Sequence, residues 1–310
     1  MKAVRIYAYG DAEVLIYEDA PLPKIGDRDL LIRVRAAAVN PVDWKIREGY
    51  LKGMLNHTLP LILGWDVSGI VEQVGARVSE FRVGDEVYSR PDINRDGAYA
   101  EYIAVKADEV ALKPHSIDHV RAAAVPLASL TAWKCLFTAA NLSAGQKVLI
   151  HAAAGGVGTY AVQLARWKGA EVIGTASAQN AELVRALGAT EVIDYRTTRF
   201  EEAVREVDVV FDTVGGEVQE RSWQVLKPGG VLVSVVTPPS AEMAASHHCR
   251  GEYVFIQPDA ATLTEIAGLI DGGQVKPIVE TVLPLGEVRH AHHLSESGHT
   301  RGKIVFQVIS

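Results

Sequence analysis

Gly155, Gly156 and Gly158 lie in a run, Lys147 to Ser177, whose residue types suit the binding of a phosphorylated dinucleotide. A backbone that passes close to a pyrophosphate has no room for a Cβ, and glycine meets that condition. The third glycine lets the following helix pack tightly on the preceding strand. Lys147 to Ala152 is a short apolar run suited to a strand buried on both faces, and Val157, Ala161, Leu164 and Ala165 fall at helical spacing. The helix N-terminus would offer free N–H groups and about half a positive charge to the phosphates. Ala153 holds the first glycine position of the usual G-x-G-x-x-G fingerprint, so the glycines alone are a weak signal. Strand, turn, helix and strand within about 30 residues supply the context that such a motif requires. A glycine turn that merely joins two elements is the alternative.

The second strand of this unit decides which dinucleotide. An NAD site carries Asp or Glu at its end, about 20 residues on, for the ribose 2′-hydroxyl. Here the strand ends Gly174-Thr175-Ala176-Ser177, with no acid. That absence removes a repulsion against a 2′-phosphate, and Ser177 could donate a hydrogen bond to it. Tyr195 and Arg196, just past the third strand, add a donor and a charge. NADP(H) is therefore the expected cofactor. Ser177 as a plain turn residue and Arg196 as a solvated surface charge are the alternatives, and Asn180 stands where a lysine would strengthen the case.

The elements that must position these residues divide the 310-residue chain into two textures. Up to about residue 110 the chain is strand-like and rich in turns, with short strands at Lys2 to Tyr7, Leu15 to Glu18, Leu30 to Val39, Ser68 to Val74, Asp85 to Ser89 and Ala98 to Val105. A barrel-like β module follows from that pattern. One helix interrupts it at Val42 to Glu48, with Pro41 in its first turn and Asn40 as a cap. Arg121 to Ala140 is alanine-rich and helical, broken at Pro126. Beyond it, strands and helices alternate up to a last strand at Glu252 to Gln257, which specifies a parallel sheet of about six strands with helices on both faces. After Pro258 a helix (Thr262 to Asp271) and two strand-like pieces (Ile278 to Leu283, Lys303 to Val308) return to the first texture, so the nucleotide domain is expected as an insertion.

Composition bounds the function. With 48% hydrophobic and 22% charged residues the chain is an ordinary globular protein, and a net charge of −7 leaves no footprint for nucleic acid or an anionic membrane. The apolar stretch Ala122 to Ala140 contains Pro126 and Lys134 and falls short of a membrane span. The start is charged too early for a secretory signal, and two distant cysteines, Cys135 and Cys249, argue for a reducing compartment, by default the cytoplasm.

The chain as a whole resembles the zinc-independent quinone oxidoreductases of the medium-chain dehydrogenase/reductase superfamily. The segments that carry this are residues 36–45 (Ala-Ala-Ala-Val-Asn-Pro-Val-Asp-Trp-Lys), Pro60 to Gly75 with Leu-Gly-Trp-Asp-Val-Ser-Gly, Val83 to Val87, Gly97 to Tyr102, Ala152 to Gly158, Asp212 to Gly216 and Gly298 to Lys303. The resemblance implies a GroES-like β-barrel catalytic domain, residues 1–118 and 259–310, and a Rossmann domain at 119–258 holding NADPH in the cleft between them. By the same resemblance Asn40 lines the site and Thr131 approaches the nicotinamide. Ala154, Gly155, Gly156 and Val157 contact the pyrophosphate, Val214 and Val236 face the nicotinamide side, and Lys303 joins the cofactor set. Tyr50 is the candidate donor to the substrate oxygen, with Lys45 a weaker one; surface residues of a loop are the alternative for both.

Zinc members of the superfamily hold their catalytic metal with a Cys in the segment here occupied by Asn40 to Asp43, and with a His-Glu pair where this chain has Trp65-Asp66. None of these ligands is kept, two cysteines cannot form a four-cysteine structural site, and no metal is expected. Trp65 either fills the vacated metal space or is a core tryptophan. The clusters His247-His248-Cys249 and His290, His292, His293 lack the ligand spacing of known sites and read as solvated histidines.

Without a metal, the expected chemistry is hydride transfer from NADPH to a quinone or to the β-carbon of an α,β-unsaturated carbonyl. An enoyl-thioester reductase is a close competitor, although the overall acidity does not suit a phosphopantetheine carrier. A non-catalytic NADPH-binding sensor or structural protein is the reading from another class. A homodimer through the edge strand near Tyr253 is implied by the resemblance.

Overall fold

The structure, a computed structural model, describes residues 1–308. The chain forms two compact units, one of residues 1–127, 257–273 and 277–310 and the other of residues 128–256 and 274–276.

The first unit is organised by the strand Asp29–Val39, whose apolar residues are all buried. This strand pairs antiparallel with Val67–Val74, Tyr102–Lys106 and Lys303–Gln307. Glu86–Ser89 and Val110–Leu112 extend the sheet on one side, and Val279–Pro284 extends it on the other, parallel to Lys303–Gln307. The C-terminal segment thus rejoins the N-terminal module. A smaller antiparallel sheet joins Lys2–Ile6 to Ile16–Asp19 and Leu61–Ile62.

The expected strand at Ala98 to Val105 begins later, at Tyr102, because Ala98 and Tyr99 use their N–H groups on the irregular segment Leu63–Gly64. Gly97 runs so close to the backbone of Leu63 and Gly64 that any Cβ would collide with their carbonyls. The first boundary between the units falls after Leu127 rather than at 118. The helix His119–Ala123 belongs to the first unit because Ala123 and Ala124 pack with Ala36, Ala38 and Val305 in one small-residue core.

The second unit is a six-stranded parallel sheet. Its order is Glu191–Asp194, Glu171–Ala176, Lys147–Ile150, Val207–Asp212, Leu226–Ser234 and Arg250–Tyr253, with every neighbouring pair parallel. Leu149, Ile173, Val210 and Leu232 on the strands pack with Phe200 and Trp223 in one core. The last strand is Arg250–Tyr253 rather than Glu252 to Gln257: Val231 pairs with Arg250, and the register ends at Ser234 opposite Tyr253. The helical region before the first strand is three pieces, His119–Ala123, Pro126–Trp133 and a π-helical Lys134–Ala139. Pro126 opens the second piece, where its missing N–H costs nothing.

Candidate active site and cofactor cradle

In the first unit the chain brings Asn40, Asp66 and Lys303 together in a fully interior cluster. Asn40 caps the helix Pro41–Arg47, and Asp43 returns the cap by accepting the Asn40 backbone N–H at 2.8 Å. The Asn40 amide nitrogen donates to Asp66 Oδ2 at 2.8 Å, and its oxygen accepts from Lys303 Nζ. The Lys303 ammonium also donates to the Val39 carbonyl at 3.0 Å and to Asp66 Oδ2 at 3.2 Å. Asp66 Oδ1 takes the Leu127 N–H at 2.6 Å. Burial pushes the Asp66 carboxyl up, and the Lys303 ammonium opposes that rise.

A second buried acid adjoins this cluster. Asp43 Oδ2 accepts from the Tyr99 hydroxyl at 2.7 Å as well as from the Asn40 backbone N–H, while its Oδ1 has no partner among the described residues. Burial raises the Asp43 pKa to about 7 against the pull of these two donors. Burial likewise lifts the Tyr99 hydroxyl well above its ordinary value, helped by the Asp43 charge.

The other two residues expected to act on substrate form a separate group, in which Tyr50 is exposed and Lys45 half-buried. Tyr50 is 68% exposed and meets the Trp44 ring edge-on at 6.1 Å between centroids. The Lys45 ammonium lies 5.7 Å from the centre of the Trp44 ring, and burial lowers its pKa. The Tyr50 N–H bonds to the Lys45 carbonyl at 3.0 Å, so the two residues share one turn at the end of the helix. Trp65 is fully buried, donates to the Arg95 carbonyl at 3.1 Å and stacks on His57.

In the second unit the glycine turn follows its strand as expected, and the helix Gly156–Trp167 opens with Gly155 as its cap. A Cβ on Gly158 would lie 2.7 Å from the Ala153 Cα, so this glycine sets the close approach of helix and strand. The left-handed residue of the turn is Ala152, at φ 49°, and not a glycine. Gly155 and Gly158 therefore serve close approach and not backbone handedness. Thr175 Oγ1 accepts the Ala152 N–H at 3.2 Å and holds that strained residue in place. The first-turn N–H groups of Gly156 and Val157 have no acceptor inside the helix, which leaves them for an anion, and Ala154 is buried beside them.

Ser177, Tyr195 and Arg196 come together at one end of the sheet, since Ala176 and Asp194 are register partners on adjacent parallel strands. Asn180 donates to the Ser177 oxygen at 3.3 Å, which leaves the Ser177 hydroxyl proton for another acceptor. Tyr195 is 52% exposed, with the Arg196 guanidinium 5.9 Å from its ring centre. Val214 and Val236 lie at the ends of neighbouring strands, and a Cβ on the intervening Gly215 would sit 3.0 Å from Val236. Thr131 is buried in the helix Pro126–Trp133.

Lys303, expected in the cofactor set, lies in the first unit. Its buried ammonium is engaged there by the Val39 carbonyl, the Asn40 side-chain oxygen and Asp66 Oδ2. His292 is likewise no solvated histidine. It is fully buried, its Nδ1 lies 3.2 Å from the Arg47 guanidinium, and burial lowers its pKa to about 3.

Two supports were not singled out from the sequence. Asp212 accepts from the Val214 and Gly215 N–H groups, the Gln219 amide and the Ser234 hydroxyl, and so shapes the loop that carries Val214. Asp43 could have been found from its place three residues after Asn40, which is capping-box spacing.

Two family models match the chain: "Alcohol dehydrogenase GroES-like domain" over residues 26–115 and "Zinc-binding dehydrogenase" over residues 187–306. A mouse protein named "NAD(P)H oxidoreductase RTN4IP1, mitochondrial" is 35% identical, covering 100% of this chain and 89% of its own length. An Arabidopsis thaliana protein named "NADPH-dependent alkenal/one oxidoreductase, chloroplastic" is 37% identical, covering 98% of this chain and 79% of its own. Among solved structures, a quinone oxidoreductase from Coxiella burnetii superposes with a TM-score of 0.93 at 36% identity, covering 100% of this chain and 99% of that one.

Proposed function

Because the chain belongs to the medium-chain dehydrogenase/reductase superfamily, we propose that it is an NADPH-dependent oxidoreductase that reduces quinones or α,β-unsaturated carbonyls without zinc. The cradle fits NADPH. Gly155, Gly156 and Val157 would receive the pyrophosphate at a helix N-terminus, and Gly158 keeps that terminus against the strand. Ser177 would donate to the 2′-phosphate, with Tyr195 and Arg196 beside it. When bound, the cofactor supplies the hydride. The protein then has to hold the acceptor, stabilise the oxygen on which charge develops, and exclude water. Asn40 and Tyr50 are the groups proposed to face that oxygen.

Zinc does not fit the residues present. The positions that the zinc dehydrogenases use for ligands hold an amide, an indole and a carboxylate, of which only Asp66 is a good zinc donor. Its Oδ2 already accepts the Lys303 ammonium and the Asn40 amide, and a divalent cation there would be repelled by that ammonium. This internal cation is the observation that carries the metal-free reading. A cytoplasmic location is proposed from the two free cysteines, Cys135 and Cys249. No helix among the described residues is long and apolar enough to cross a membrane.

The test is loss of reduced-nicotinamide absorbance with NADPH and then NADH, against quinones, alkenals and enoyl thioesters, on protein whose metal content has been measured. Turnover of a quinone or alkenal with NADPH at sub-stoichiometric zinc is expected. Tight NADPH binding with no turnover of any acceptor would instead mark a binding protein, and activity that tracks zinc content would refute the metal-free reading.

A further inference from the structure

Lys303 is 4% exposed, and an ammonium has three N–H donors. All three have acceptors: the Val39 carbonyl, Asp66 Oδ2 and the Asn40 side-chain oxygen. The ammonium therefore has no donor left for a ligand, and any influence on the reaction passes through its neighbours. Asn40 is the neighbour with a group to spare. Its oxygen faces the ammonium and one amide N–H faces Asp66, at 2.8 Å. A flipped amide would set its NH2 against the ammonium and its oxygen against the carboxyl group, so this orientation is the one the two charges permit. The second amide N–H has no partner among the described residues. A cation on the amide oxygen also draws electron density from the nitrogen, which strengthens both N–H donors.

We propose that Lys303 and Asp66 are positioning residues that fix and polarise the Asn40 amide, so that its second N–H donates to the acceptor's carbonyl oxygen as charge builds there. The proposal rests on the reductase reading above. In that reaction a hydride adds to the electron-poor β-carbon, the pair of the C=C bond moves in to form a new double bond to the carbonyl carbon, and the C=O π pair goes onto the oxygen. A solvent proton then completes the reduced product and NADP+ is the oxidised one; Asn40 hydrogen-bonds throughout and transfers no proton. The Lys303 ammonium thus does through an amide what a metal does by direct contact.

The test is a cycle of Lys303→Met, Asn40→Ala and the double variant, with kcat, KM and NADPH affinity measured for each. Lys303→Met is expected to lower kcat about 10- to 100-fold, the usual scale for a residue that orients another, with NADPH affinity unchanged. In the Asn40→Ala background the same substitution should cost almost nothing, because the group it acts through is gone. Losses that multiply would overturn the proposal, as would an unchanged kcat in Lys303→Met. Removing Lys303 alone leaves Asp66 buried without its cation, so Lys303→Met/Asp66→Leu, which removes both charges, is measured beside it. The same kcat loss is expected there, and wild-type kcat in that folded pair also overturns the proposal.

The Asn40 side-chain amide resonance, identified by its disappearance in Asn40→Ala, gives a readout that needs no turnover. Its two protons should move upfield in the Lys303→Met/Asp66→Leu protein, and an unmoved resonance overturns the polarisation. A wild type that reduces no acceptor would sink the reductase reading, while this resonance still decides for or against the hold on Asn40.

Discussion

Asp43 is a buried acid whose protonation can be read from outside. Its pKa of about 7 lies above the ordinary 3.8 because burial outweighs the donors on Oδ2. Between those two values the folded chain holds a proton that the unfolded chain has lost. This group's contribution is therefore full at acid pH and fades as pH rises through about 7. Asp43→Asn keeps an acceptor for Tyr99 and Asn40 but cannot titrate. In denaturant melts, wild type should lose on the order of 2–4 kcal/mol more than Asp43→Asn between pH 5 and pH 8, and parallel profiles would remove Asp43 as the source. Tyr50 is tested by activity instead. Exposed and without a partner for its hydroxyl among the described residues, it is free to meet a substrate, and Tyr50→Phe should lower kcat several-fold, about the value of one neutral hydrogen bond, and leave NADPH affinity intact. Turnover equal to wild type would exclude it. Asn40 was legible in the sequence because it stands at a helix cap beside a proline. Its partnership with Lys303 was not, since the two are 263 residues apart and only the sheet pairing of Ile304 with Val39 brings them together.

At the scale of elements, the glycine turn separates folding from binding. Gly156 is the first residue of its helix and has no left-handed backbone, so its backbone conformation is one that an L-residue adopts. An aspartate at that place favours the empty helix, because a negative charge at the N-terminus offsets the dipole. It also puts a carboxylate where a pyrophosphate would lie. Gly156→Asp should melt at or slightly above the wild-type temperature while NADPH binding, followed by fluorescence titration, is abolished. Retained affinity would refute the cradle assignment. The alternating strands that carry this turn were readable because each is an apolar run bounded by turn residues. The last strand was not placed correctly, since Arg250–Tyr253 has an exposed and mixed pattern and its position is set by pairing with Val231 to Ser234. Helical texture in residues 121–140 was visible, but the π-helical turn at Lys134–Ala139 has no signature in residue type.

For the whole molecule, the open question is whether two copies pair. Arg250–Tyr253 is the outermost strand of the six-stranded sheet, and Tyr253 is 40% exposed on it. An unpaired strand edge is a template for a second chain, and symmetric pairing of two such edges would close it. The Val254 N–H bonds inward to Ser234, so the alternation of a strand turns the Tyr253 N–H outward, toward the free edge. Proline at that position removes an outward donor and leaves the inward ladder whole. If the edge joins two chains, light scattering on wild type should give about twice the chain mass of 33.5 kDa, and Tyr253→Pro should shift the mass toward one chain at the same concentration. A wild type that scatters as a monomer, or a Tyr253→Pro protein that stays dimeric, would place the contact elsewhere or remove it.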